Sequence, residues 1–110
     1  MAKLKRDYIM TVVPPTGEIT EKRFPKAPKL EEMQEMVGGP IETVPYLKKM
    51  LGFSRGVAYC NEEGFMKGLE DNPRAYLFWR AACPQGDPKR MRISGTMIFI
   101  AKEPSGVSKG

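Results

Sequence analysis

The chain has 110 residues, 41% of them hydrophobic, which suffices for one domain with one modest core and is too little for two. It contains no histidine, and its two cysteines, Cys60 and Cys83, form no Cys-x-x-Cys pair. Histidine-dependent nucleophile activation is therefore removed, a Cys/His zinc site and a disulfide framework are not expected, and one long-range disulfide stays open beside the expectation of two reduced thiols. Eighteen Lys and Arg against thirteen Asp and Glu leave a net charge of +5, a general attraction to polyanions without a defined site.

No apolar run of about 18 residues is present, and the opening MAKLKRDYIM lacks the apolar stretch and cleavage site of a signal peptide. The expectation is a soluble intracellular protein with flexible tails at 1–7 and 102–110. Tyr8–Val13 is β-branched and apolar, a sheet former. Pro14, Pro15, Thr16 and Gly17 then concentrate turn formers, and Glu18–Phe24 resumes as the second arm of a hairpin. Its charges, Glu18, Glu21, Lys22 and Arg23, suit an edge strand.

Pro25 and Pro28 lead into a helix over Leu30–Val37. Leu30, Met33 and Val37 recur at i, i+3 and i+7 with Met36 beside them, predicting one core-facing stripe. Pro28 suits the first turn, Glu31 and Glu32 complement the positive end of the helix dipole, and Gly38 and Gly39 stop the helix. At two to three turns it is too short to stand alone and must dock on a sheet. Ile41–Val44 reads as a short strand limited by Pro45. Tyr46–Leu51 is ambiguous between a helical turn and a loop. With Phe53 it is more apolar than a connection requires, as a satellite of the core or as a patch for a partner.

Val57–Cys60 reads as a strand, with Cys60 a small buried hydrophobe. Asn61–Gly64 reads as a tight reversal, with Asn61 bonding the backbone ahead, Gly64 supplying positive φ, and Phe65 and Met66 starting a returning arm. Glu62 and Glu63 lack the ligand alternation of a calcium loop, and with Glu70 and Asp71 they read as solvated turn carboxylates. Asp71 or Asn72 before Pro73 starts a second helix containing Ala75–Ala82. Leu77 and Ala81 lie four apart, as do Tyr76 and Arg80, while Phe78, Trp79 and Ala82 widen the apolar arc. Trp79 reads as a core plug, although Tyr76, Trp79 and Arg80 are also types enriched at interfaces. A polar loop, Pro84–Arg90, precedes a final strand over Met91–Ala101, apolar enough to be central and covered on both faces.

The succession of a helix, Val37-Gly38-Gly39, Ile41-Glu42, Asn61-Glu62-Glu63-Gly64, Gly68-Leu69, Asn72 and Ala75 resembles a small family of phage-, prophage- and plasmid-encoded proteins catalogued as a domain of unknown function. The resemblance covers roughly residues 30–75 and, loosely, the last strand. It implies a single small α+β domain and brings no catalytic residues or cofactor with it. The residues themselves predict an α+β domain in which four or five mostly antiparallel strands pack against two helices.

The function expected from these features is that of a non-enzymatic phage-type accessory protein. It would self-associate in the host cytoplasm and bind and inhibit a host or defence component, by protein contact or by sequestering a small anionic ligand. Candidate contact residues are Tyr46, Met50, Phe53, Tyr76, Trp79 and Arg80. The alternative is a basic nucleic-acid-binding protein acting through Arg6, Lys22, Arg23, Lys89, Arg90 and Arg92.

Overall fold

The computed structural model describes residues 7–44, 47, 56–82 and 93–102. In chain order these form β1 (Tyr8–Val13), β2 (Thr20–Phe24), α1 (Leu30–Val37), β3 (Ile41–Thr43), β4 (Val57–Asn61), α2 (Pro73–Ala82) and β5 (Met97–Lys102). The strands make one sheet in the order β2-β1-β5-β4-β3, and every neighbouring pair is antiparallel.

The last of the described strands occupies the middle of the sheet. β5 inserts between β1 and β4, with Tyr8 opposite Lys102, Val13 opposite Met97 and Val57 opposite Ile100. Strand alternation sends Met10, Val12 and Ile98 to one face, where they meet Met33, Met36 and Val37 of α1. Val13, Ala58, Met97 and Phe99 point to the other face and pack with Ala75 and Trp79 of α2. One helix therefore covers each face, which is why β5 had to be apolar on both.

α1 begins after Lys29, whose N–H donates to Oε1 of Glu32 at 2.9 Å, so Pro28 stands one step outside the helix rather than in its first turn. It ends at Gly38, which takes the left-handed conformation at φ 83° and donates its N–H to the Gln34 carbonyl at 2.8 Å. Leu30 departs from its expected core position and is 53% exposed, because the half of the helix that reaches the sheet is the one carrying Met33, Met36 and Val37.

Three further expectations are corrected. The predicted return arm at Phe65 and Met66 is a succession of turns over residues 62–68, closed by Lys67 N–H to the Glu63 carbonyl and Leu69 N–H to the Gly64 carbonyl, each at 2.9 Å. On α2 the buried stripe is Ala75 and Trp79, four apart, whereas Leu77 and Ala81 face outward. The aromatic arc allowed two registers, and the one adopted turns the large Trp79 ring, with Ala75, into the core cluster. Finally, β5 starts at Met97 rather than Met91: Ser94 makes an isolated bridge to Asp71, and Gly95 at φ 83° turns the chain.

Candidate functional site

The two ends of the sheet differ in kind. One end, where β1 and β4 finish and β5 and β3 begin, is tied by two buried asparagines. Asn61 donates from Nδ2 to the Val37 carbonyl at 3.1 Å and accepts the Glu63 N–H at 2.7 Å, joining the end of α1 to the end of β4. Asn72 donates from Nδ2 to the carbonyls of Val13 and Gly95, both at 2.8 Å, and its Oδ1 accepts the Ala75 N–H at 3.0 Å, capping α2. Glycine permits the close packing here. A Cβ on Gly64 would sit 2.7 Å from the Ser94 carbonyl oxygen, so close approach, and not the positive φ expected from sequence, requires that residue. The Arg74 guanidinium adds a donation to the Gly17 carbonyl, fastening α2 to the β1–β2 turn.

Among the described residues the opposite end is open. An α-helix of eight residues spans about 12 Å, against about 20 Å for a six-residue strand, so α1 leaves part of its sheet face uncovered. The uncovered part is a cleft of about 730 Å³. Tyr8, Val57, Tyr59 and Ile100 lie along its sheet side, and Pro28 and Met33 come from the α1 side. Thr43, Val44 and Leu47 contribute from β3 and the chain that follows it. Among the described lining residues Lys102 is the single charged group, and its Nζ stands 5.5 Å above the Tyr8 ring centroid, a cation–π distance. The volume falls in the range of roughly 300–1,000 Å³ typical of small-molecule sites, and the lining pairs apolar walls with a few polar groups.

The residues named from sequence are placed differently. Trp79 is 4% exposed, inside the core, with its ring centroid 5.9 Å from that of the half-buried Tyr76. Arg80 is half-buried at the end of the same helix. Lys22 and Arg23 are exposed on β2 but, being consecutive, project to opposite faces, and Arg23 faces Asp7 at 3.9 Å. Tyr46, Met50, Phe53, Arg6, Lys89, Arg90, Arg92 and Cys83 lie outside the described residues. Cys60 is a buried free thiol whose pKa is pushed up to about 11, first by burial and then by the Glu42 carboxylate, so it stays protonated and unreactive at neutral pH. Glu63 pairs with Lys67 at 2.9 Å on an exposed turn. Among the described residues no three His, Cys, Asp or Glu gather to hold a metal, and no helix is long and apolar enough to cross a membrane.

The family model of DUF3846, a domain of unknown function, matches residues 8–108, nearly the whole of the chain. The chain belongs to the DUF3846 family. Comparison with curated proteins and with solved structures gives no match. In this DUF3846 domain several residues that stood out in the sequence, Gly38, Gly39, Asn61, Gly64, Leu69, Asn72 and Ala75, tie or pack the locked end of the sheet or the turns beside it, whereas Glu42, Glu62, Glu63 and Gly68 of the same pattern are exposed. The cleft is built instead from Tyr8, Tyr59 and Lys102, which no motif flagged because three separate strands supply them and only the sheet register brings them together.

Proposed function

We propose that this DUF3846 domain works as an accessory binding protein that holds a small anionic ligand in the open cleft, withholding it from a host or defence component, without chemical turnover. The observation that carries this reading is the pairing of an apolar cleft of about 730 Å³ with one cation, Lys102, poised on Tyr8 at its edge. The apolar walls of the cleft, Val57, Ile100 and Met33 among them, further support binding of a ligand there.

Native mass spectrometry of the protein purified from its expressing cells tests the reading. Extra mass that disappears on denaturation is the expected result, and its value gives the size of the ligand. A clean multiple of the chain mass, unchanged by adding extract of small molecules, would remove the sequestering reading and leave inhibition by protein contact, to be sought by pull-down from host lysate.

A further inference from the structure

We infer that the ligand is an amphiphile with a single negative charge, its head on Lys102 and its apolar body along Val57, Tyr59 and Ile100 beneath Met33. This inference rests on the cleft being a binding site and specifies what that site selects. A polyphosphate needs several cations or a cradle of free backbone N–H groups. The described lining offers one cation, and the side chains at the helix start closest to the cleft are balanced: Glu31 and Glu32 in the first turn of α1 stand against Lys26 and Lys29, and Glu32 already takes the Lys29 N–H at 2.9 Å. That helix end therefore adds no surplus of positive side chains for a polyphosphate.

The walls favour an apolar body. Along the sheet side Val57 is 43% exposed and Tyr8, Tyr59 and Ile100 are half-buried, so apolar surface stays in contact with water until a ligand covers it. Met33 faces them with an unbranched, adaptable side chain that can conform to ligands of different outline. Lys102 can leave the Tyr8 ring for a stronger anionic partner at little cost, since an exposed cation–π contact is weak. The phenol of Tyr8, which the register places beside Lys102, supplies a hydrogen bond to a sulfonate or carboxylate head.

Two fluorescent probes test the assignment: 8-anilinonaphthalene-1-sulfonate, an apolar monoanion, and its neutral analogue N-phenyl-1-naphthylamine. Each is titrated into wild type, Lys102→Met and Val57→Trp, the last filling the cleft from an exposed strand position with the fold checked by circular dichroism. Expected are saturable binding of both probes to wild type and weakening of both by Val57→Trp. Lys102→Met should weaken the sulfonate probe alone by about fivefold, the scale of one partly exposed charge pair. Equal sulfonate affinity in Lys102→Met and wild type, with Val57→Trp still blocking, would overturn the charge assignment and leave the cleft as a binding site. Displacement of the sulfonate by micromolar tripolyphosphate would overturn the single-charge assignment in the same way. Unaltered binding in Val57→Trp, or no binding to wild type, would overturn the cleft reading itself.

Discussion

Replacing Asn72 with alanine tests how the locked end of the sheet is held. The side chain is 1% exposed and makes three hydrogen bonds: two donations, to Val13 and Gly95, and one acceptance, from Ala75. Loss of the helix cap costs about 1 kcal/mol. Each donated bond adds about 1 kcal/mol, and more where the abandoned carbonyl stays dry, so the total is about 3 to 5 kcal/mol. Against a whole-domain stability of roughly 5–15 kcal/mol this is a large share. In urea, with an m-value of about 1.5 kcal/mol/M, the midpoint should fall by about 2–3 M at unchanged m. Asn72→Asp keeps the cap acceptor but places a carboxylate against two carbonyl oxygens, which raises its folded-state pKa. Its penalty is then complete above that raised pKa and is relieved as pH falls toward the unfolded value of about 3.9. Relative to Asn72→Ala, Asn72→Asp should therefore gain stability on acidification. An alanine variant within 1 kcal/mol of wild type, or an aspartate variant that loses ground to it as pH falls, would refute the reasoning.

Other positions give sharper contrasts. Gly64→Ala, whose Cβ would meet the Ser94 carbonyl oxygen at 2.7 Å, should cost about 1–3 kcal/mol by overpacking. Gly68→Ala, at φ +73° with open space around it, should cost only the left-handed penalty of about 1–2 kcal/mol, and thermal melts of the pair rank the two effects. The Thr11 hydroxyl is buried and finds no hydrogen-bond partner among the described residues, so Thr11→Val should leave stability unchanged or raise it by about 1 kcal/mol in chemical denaturation. Cys60, with its folded pKa raised from 9.0 to about 11, ionises first in the unfolded chain. Wild type should therefore lose about 2–3 kcal/mol relative to Cys60→Ala between pH 9 and pH 11, with no such difference in slope below pH 8.

Local signals proved sufficient wherever neighbours in sequence decide the structure. The Met33–Met36–Val37 part of the α1 stripe and its glycine stop, the Pro-Gly turn of the first hairpin, the Asn61 turn and the Asn72 cap all act within a few residues and stand where their chemistry put them, whereas Leu30, at the helix start, does not reach the core. Long-range packing decided the rest. Gly64 is needed because Ser94 comes against it, the break at Gly95 follows from the Asp71–Ser94 bridge, and the choice of Ala75 over Leu77 as the buried line of α2 depends on what the sheet presents. The cleft was the least legible feature. Tyr8 and Lys102 stand near opposite ends of the chain, and a short helix uncovers them only because it docks toward the other end of the sheet.

The pairing of Tyr8 with Lys102 also makes the domain a ready circle. Cross-strand partners in an antiparallel ladder lie about 5 Å apart, so a linker of a few residues would join β1 to β5 without bending either. Opening the chain instead in the exposed turn at Gly17, at the locked end, would move both new termini to the far side of the molecule at the expense of the Arg74 donation to the Gly17 carbonyl. Such a permutant could carry a reporter at either end while the cleft stays unobstructed, whereas a tag placed before β1 or after β5 is attached at the rim of the cleft.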